Sequence, residues 1–535
     1  MKKKILKEKE QKPMFAYPGE DPLKDTASVM KFYKLPSAFP KAVLEEAKNI
    51  DKAFAKESIN TKGRLDLRGH FVFTCDPTTA RDFDDALSIE VDRKGNRELG
   101  VHIADVSHYV RPGSAIDREA FRRSTSVYFC DRVVPMLPES LCNGVCSLKP
   151  DEDRYAFSVF MKFDSAGNMI ARRFAKSVIR SKYRFTYEQV MAIIATVKRG
   201  NGAAKSLSNK LPKKELVKIR QIADLAQQLR ARRVAAGALD IEIPEAEVML
   251  DSFGELESII TRPYDQSHQM IEECMVAANE AVATELRTNG VKILSRFHDA
   301  PDEEKLDLLR AELRSLGVKV GNITSKKVFA QFLLKIKSSP LYPTLAMMVL
   351  RSMKRAVYDS IATGHFGLAK KYYAHFTSPI RRYPDLILHR LLLNHISGAK
   401  VKTSLRLLEK WAEHSTKAEQ TATDAERALV EIKKYRLLQN QLSSRTVQEY
   451  EGVIVKCAPY GCFVEIADIA VSGLVHISAL SNRFVQFNEY DQSLSSSGGG
   501  KWRIGDKMRV KVLNVDMKQR KIDFMPIFER RRKGR

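Results

Sequence analysis

The sequence predicts an α+β chain: a mixed sheet surrounded by helices, followed by a small C-terminal β-barrel. Three observations predict this. Residues 66–180 are rich in short apolar and β-branched runs. Residues 216–444 carry six stretches of helical period. From about residue 449 the pattern returns to short strands that alternate apolar and polar positions.

Residues 1–65 are polar and end in a predicted helix, Ala42 to Lys56. Phe71-Val72-Phe73-Thr74 reads as a buried strand. Leu87, Ile89 and Val91 alternate with Ser88, Glu90 and Asp92, which predicts a second strand with one buried face. Val101 to Val106 and Phe157 to Phe163 also read as sheet. Thr196 to Lys214, with Gly200, Gly202 and Pro212, reads as an exposed linker. Helices are predicted at 216–237, 266–290, 303–316, 325–337, 343–360 and 404–444, with Gly237 and Gly290 where C-terminal caps belong. There is no internal repeat of 20 to 50 residues.

Five short strands over about 80 residues then predict a barrel of the oligonucleotide-binding kind, with Ser493 to Gly500 as a Ser/Gly loop between strands. In such a barrel Tyr460, Phe463 and His476 could share one face as a stacking platform, with Lys456, Lys507 and Arg509 near phosphates. The pattern equally allows Phe463 in the core and the others as ordinary surface residues.

The chain has 535 residues, enough for several domains, and 90 Lys plus Arg against 65 Asp plus Glu give a formal charge of +25. That excess favours a polyanionic partner, nucleic acid before an anionic membrane. Both ends are basic, Met1 to Lys12 and Arg530 to Arg535. The seven Cys form no Cys-x-x-Cys pair, and Cys142 and Cys146 lack zinc-ligand neighbours, so all seven read as free thiols of a reducing compartment. No apolar run reaches transmembrane length, and no apolar core follows the basic start as in a secretion signal. A cytoplasmic monomer with no membrane partner is expected.

Asp76 to Ala86 is the most informative stretch, with Asp76, Asp82, Asp84 and Asp85 inside ten residues. Four like charges this close raise one another's proton affinity and call for a cation. Hard carboxylate oxygens suit magnesium, with manganese as its substitute, and both complete their shells from water and phosphate. In so basic a chain this points to phosphodiester chemistry. The calcium-loop pattern, with Gly at its sixth position and a terminal Glu, is absent. Spacing alone leaves a catalytic metal site and a solvated acidic loop both open. His102, His108, His375 and His389 lack tight ligand spacing and read as core hydrogen-bonding residues.

Five separated motifs carry a likeness: Asp76 to Ala86, His102-Ile-Ala-Asp-Val, Val134-Pro-Met-Leu-Pro with Cys146-Ser-Leu, Ile271-Glu-Glu-Cys-Met, and His375-Phe-Thr-Ser-Pro-Ile-Arg-Arg-Tyr-Pro-Asp. In order and spacing they resemble the catalytic RNB domain of the ribonuclease II and ribonuclease R family. Glu451 to Phe524 resembles the S1 RNA-binding domain that follows it there. The likeness covers about residues 30–527 and implies an RNB domain at 66–395, a helical extension at 396–447, an S1 domain at 448–527 and a basic tail at 528–535. Lys31 to Ala47 resembles the linker ahead of the RNB domain. Family members usually carry two cold-shock-type barrels before that linker, and about 30 residues stand there here, so a shortened form or an internal start is expected.

The resemblance implies magnesium-dependent, processive 3′-to-5′ hydrolysis of single-stranded RNA to 5′-mononucleotides. Asp76 and Asp85 would hold a metal, while Asp82 and Asp84 hold a second one or orient the attacking water; Asp84 is the central catalytic carboxylate. Arg381 would reach the scissile phosphate, with Arg382 as the second candidate. Tyr128 would stack on the terminal base, the other reading being a core tyrosine. One of Glu272 and Glu273 would accept from a ribose 2′-hydroxyl, Glu273 being favoured; the other reading pairs the Glu with a helix cation. Two further functions stay open: a catalytically inactive RNA-binding protein of the same fold, and a nuclease acting on DNA.

Overall fold

The apolar runs on either side of the acidic stretch do pair as strands. The computed structural model describes residues 21–528, apart from 57–58, 196–210, 243–244, 324, 340, 400–402, 444–447 and 490–491. The two basic ends and most of the predicted linker lie outside the described residues. Strands β1 (Leu65–Asp66), β2 (Phe73–Cys75), β3 (Asp85–Val91), β4 (Arg97–Ala104), β5 (Val127–Tyr128), β6 (Val133–Val134), β7 (Asp153–Phe163), β8 (Met169–Arg180) and β9 (Tyr183–Phe185) come first. Seven of them form one mixed sheet in the order β1-β8-β7-β4-β3-β2-β9, in which β1–β8 and β2–β9 are parallel and the rest antiparallel.

One expectation fails at β3. Its polar position Ser88 is buried like Leu87 and Ile89, so the first part of the strand is covered on both faces, while Glu90 and Val91, the latter expected on the buried face, are exposed at its end. Ser88 is not solvated because it joins a chain of side chains running across the sheet. His102 sits 2.8 Å from Ser88 Oγ and 2.7 Å from Ser158 Oγ, which in turn lies 2.6 Å from Ser177 Oγ. Burial pushes the His102 imidazole down to about 3, so it is neutral and serves as a hydrogen-bonding core residue.

The helices fall close to their predicted bounds. Lys213–Ala235 and Gln266–Thr288 are followed by Gly237 (φ +96°) and Gly290 (φ +75°), left-handed positions that end them without strain. The first starts at Lys213, so the end of the predicted linker is helical. Strands β10 (Glu245–Leu250) and β11 (Leu256–Arg262) form a hairpin between the two. The helix expected at 343–360 stops early. It spans Tyr342–Ser352, and β13 (Val357–Asp359) then pairs with β12 (Ser295–Phe297). Burial of Tyr358 and the hydrogen bond of its amide to Thr416 Oγ1 at 2.9 Å favour the extended form there.

The C-terminal strands are β14 (Glu449–Ala458), β15 (Gly461–Ile466), β16 (Val471–His476), β17 (Val485–Asn488), β18 (Ser493–Ser496), β19 (Lys501–Trp502), β20 (Lys507–Asp516) and β21 (Lys521–Pro526). Five of them close a barrel in the order β14-β15-β16-β21-β20, and β17-β18-β19 form a separate small sheet. The expected Ser/Gly loop is thus partly strand, because Leu494 anchors β18 in the barrel's apolar core.

Helix Leu405–Ser443 runs between the large sheet domain and the barrel. Its Lys433 is buried and donates to Pro22 O (2.7 Å), Gly254 O (2.6 Å) and Asp25 Oδ2 (2.7 Å). Arg436 completes the pairing with Asp25 through Nε (2.9 Å) and Nη2 (2.7 Å). One carboxylate thus ties the N-terminal helix Asp25–Phe32 to the long helix. Among the described residues no helix is long and apolar enough to cross a membrane.

Removing one partner of a buried ion pair strands the other charge, so Asp25→Ala should cost about 3–5 kcal/mol in urea unfolding. An unchanged unfolding midpoint would show that the buried cations do not depend on Asp25.

Candidate active site

The acidic loop spans the gap between β2, ending at Cys75, and β3, beginning at Asp85. Both its ends are fixed by the sheet: the Asp76 amide donates to Phe185 O (3.1 Å), and Asp85 pairs with Ile103 of β4. Asp84 is buried. Its Oδ1 accepts from the Ile380 amide (2.9 Å) and its carbonyl from the Ala104 amide (2.8 Å). Asp82 accepts from the Tyr128 hydroxyl at 2.9 Å. Asp76 Oδ2 and Asp84 Oδ2 are buried with no hydrogen-bond partner. A solvated acidic loop would leave no such atoms, so that reading is set aside.

Burial, and then repulsion from Asp85 and Asp82, pushes the Asp76 carboxyl well above its usual range, against the pull of Arg184 and Arg381. Burial likewise raises Asp84, opposed by Arg381 and the Ile380 amide. Asp85 is raised by burial to about 6, opposed by Arg381 and Arg382. Among the described residues no three His, Cys, Asp or Glu side chains meet as a ready-made metal cage. Magnesium does not require one. It is held by one or two carboxylates, with water and substrate phosphate completing the shell. The donor set is all hard oxygen, and two of its atoms lack partners, so the residues fit that ion.

Arg381 enters from the loop ahead of helix Tyr383–Ile396. Its Nε lies 3.7 Å from Asp84 Oδ2 and its Nη2 donates to Ser378 Oγ at 3.0 Å, with the side chain still half-exposed. Arg382 differs. Both arms of its fork are spent on buried Asp385, at 2.9 and 2.8 Å, so it braces the turn and has no fork left for a phosphate. The Arg381 carbonyl accepts from the Ser126 amide (3.0 Å) and Thr125 Oγ1 (3.2 Å), which brings the Tyr128 strand alongside. Tyr128 is 40 % exposed, not a core tyrosine, and its amide donates to Glu426 Oε1 (2.7 Å) of the long helix.

The two glutamates separate clearly. Glu273 is 1 % exposed, and both its oxygens accept from Arg233 Nε, at 3.0 and 3.2 Å. The expectation that favours Glu273 for ribose is corrected: its carboxylate is closed inside an ion pair. Glu272 keeps a side chain 38 % exposed, its oxygens accepting from the Tyr264 hydroxyl and Arg233 Nη2, so it is the more open of the two.

On the barrel, Cys462, Val464 and Ile466 face inward, while Phe463 lies on the other face of β15 with Gly461. Gly461 pairs with His476 and Phe463 with Lys456, so Phe463, His476 and Lys456 share the outer face. Tyr460, exposed, stands edge-on to Phe463 with ring centroids 6.2 Å apart. Phe463 is therefore not core. Lys507 is exposed, whereas Arg509 is paired with Glu449. The other expected histidines are engaged in hydrogen bonds: His375 Nδ1 with Tyr358 OH (2.8 Å), His389 Nε2 with Phe376 O (2.8 Å), and His108 Nδ1 beside Arg64 Nη2 (3.3 Å).

Sequence reasoning missed Arg184, Arg233, Ser147 and Tyr264. Ser147 sits inside the Cys146-Ser-Leu motif and carried a signal. Arg233 lies 40 residues from Glu273 and carried none.

The RNB domain family matches residues 64–398, and the S1 RNA binding domain family matches residues 445–525. The chain belongs to the RNB family. It is 39 % identical over 504 residues to ribonuclease R of Aquifex aeolicus, covering 93 % of this chain and 69 % of that one. Against Escherichia coli ribonuclease R the identity is 36 % over 518 residues, covering 94 % and 62 %. The structure of Mycoplasma genitalium RNase R in complex with ribose methylated single-stranded RNA superposes with a TM-score of 0.83 at 29 % identity, covering 95 % of this chain and 78 % of that one. Yeast Ssd1, a pseudonuclease, shares the fold with a TM-score of 0.70 at 19 % identity, covering 89 % of this chain and 58 % of that one.

The raised carboxylates give a pH prediction for this RNB site. A carboxyl whose folded pKa exceeds its unfolded one costs stability as pH rises through the interval between them. An incoming cation must displace the protons still held near pH 6. Mn2+ affinity measured by calorimetry should therefore fall steeply from about pH 7.5 to about pH 5.5, with proton release on binding. A pH-independent affinity would place the ion elsewhere.

Proposed function

We propose that the chain is a 3′-to-5′ exoribonuclease that hydrolyses single-stranded RNA processively to 5′-nucleoside monophosphates, using magnesium, as a cytoplasmic monomer. The observation that carries this is the convergence on one loop of Asp76, Asp82, Asp84 and Asp85 with Arg381 and Tyr128, residues up to about 300 positions apart in sequence. That convergence supplies a carboxylate, a phosphate and a base contact together.

Asp76 and Asp85 would hold the magnesium, and Asp82 and Asp84 a second ion or the attacking water. Bound there, magnesium lowers the pKa of water and offsets charge on the phosphate oxygens. The chain's own groups do the rest. Arg381, with Nη1 unengaged among the described hydrogen bonds, offers donors to the phosphate as negative charge grows in the in-line displacement. The water oxygen bonds to phosphorus, the bond from phosphorus to the preceding 3′ oxygen breaks, and that oxygen takes a proton. Tyr128 offers its exposed face to the last base, a contact tolerant of base identity because every base has a π-face. Glu272 accepts from the 2′-hydroxyl, the group that separates RNA from DNA. The outer barrel face, with Tyr460, Phe463, His476 and Lys456, holds the strand upstream.

Asp84→Asn keeps the acceptor for Ile380 and removes the charge. It should abolish release of mononucleotides from a 3′-tailed RNA in magnesium, with RNA affinity in chelator unchanged. Unchanged turnover would sink the mechanism. A wild-type chain that binds the RNA but never shortens it would favour the inactive RNA-binding reading, and equal cutting of the matching DNA would favour the DNA reading.

Tyr128→Ala should change the length of the final undegraded oligonucleotide on a sequencing gel. An identical end product would show that the ring does not grip the last nucleotides.

A further inference from the structure

The acidic loop has a second set of contacts, whose hydrogen bonds are all made to its backbone. Ser147 is fully buried and bridges the loop: its Oγ accepts from the Phe83 amide at 3.0 Å and donates to the Arg81 carbonyl at 2.8 Å. The neighbouring Leu148 amide donates to the Phe83 carbonyl at 3.0 Å. At the start of the loop Arg184 Nη2 donates to the Pro77 and Thr78 carbonyls, each at 2.8 Å, and its guanidinium stands 5.1 Å from the centre of the Phe83 ring. Every residue from Arg81 to Asp84 except Asp82 is thus held through its own backbone by Ser147, Leu148 or Ala104.

This arrangement has a physical motive. Four carboxylates on one loop push it open, and a loop that opens moves its ligands apart. Contacts through the carboxylates themselves would compete with a cation for the same oxygens. Contacts through the backbone hold the loop and leave the oxygens free.

We propose that Ser147 and Arg184 are positioning residues for the carboxylate site, fixing its loop by backbone hydrogen bonds so that divalent-ion affinity depends on them although neither supplies a ligand. The proposal rests on the metal reading of the four carboxylates. For Arg184 it makes a claim of sign. A cation acting only through its charge opposes a second cation, so its removal would tighten ion binding. A cation acting as a brace does the opposite when removed.

The test is Mn2+ binding to the full chain without RNA, followed by electron paramagnetic resonance of the free ion, for wild type, Ser147→Ala, Ser147→Thr and Arg184→Gln. Supporting groups of metal ligands are typically worth 10- to 100-fold in affinity, so Ser147→Ala and Arg184→Gln should each bind Mn2+ about ten-fold or more weakly. RNA affinity in chelator should stay within about two-fold, since neither residue is placed on the strand. Ser147→Thr, which keeps the hydroxyl, should recover most of the loss. Equal Mn2+ affinity in Ser147→Ala and Arg184→Gln, or tighter binding in Arg184→Gln, overturns the proposal. Should Ser147→Ala fail to fold, Arg184→Gln decides alone. Absence of Mn2+ binding in folded wild type would instead overturn the metal reading itself.

Discussion

Burial of neighbouring carboxylates is the constraint around which the large sheet domain is arranged. For scale, two unit charges about 4 Å apart at an effective dielectric near 20 interact by about 4 kcal/mol. A domain's whole stability is about 5–15 kcal/mol. A loop with four carboxylates inside ten residues, two of them with buried oxygens that lack a hydrogen bond, therefore needs a rigid frame. The frame is the sheet. Its polar chain Ser88–His102–Ser158–Ser177 crosses from β3 to β8 and is satisfied without any charge, so it adds no further field to the site.

Groups from distant sequence surround the acidic loop, and helix Leu405–Ser443 holds the Tyr128 strand among them. Glu426 of that helix holds the Tyr128 strand, and Ser415 accepts from Ser124 at 3.0 Å next to the strand's start. Further along, Lys433 and Arg436 grip Asp25, and Lys434 donates to Ala470 O of the barrel at 3.0 Å. One helix therefore sets the tyrosine of the site, the N-terminal segment and the barrel on a single rod. A shift of that rod would move Tyr128 and the barrel together.

The parts legible in the sequence are those where chemistry and periodicity are local. The acidic loop, its flanking strands and most helix bounds fall in this group, because like charges and apolar alternation need no partner to be read. Ser88 reads as solvent-facing because a polar residue in an alternating strand shows no partner locally; His102, from the next strand, supplies one. The sequence favours Glu273 over Glu272 on no more than adjacency and shared composition; Arg233, from another helix, decides which one is closed. Arg382 looked like Arg381 for the same reason, and buried Asp385 separates them. The strand at Ser493–Ser496 was hidden because Ser and Gly dominate its surroundings and one buried leucine fixes it.

The fold alone does not decide between a working and a silent enzyme, since the same fold carries a pseudonuclease. The decisive feature is energetic. Asp76 Oδ2 and Asp84 Oδ2 are buried without a hydrogen-bond partner, Arg381 Nε standing 3.7 Å from Asp84 Oδ2, and a buried polar atom without a hydrogen bond costs about 1–3 kcal/mol. Asn at either position would ease that cost, and a chain that only bound RNA would gain stability by the change. Backbone bracing by Ser147 and Arg184 adds to the argument, since it holds the loop shut without using those oxygens. A loop held from behind keeps these two carboxylate oxygens free of hydrogen bonds, as the proposed magnesium site requires. That arrangement favours the catalytic reading over the binding one.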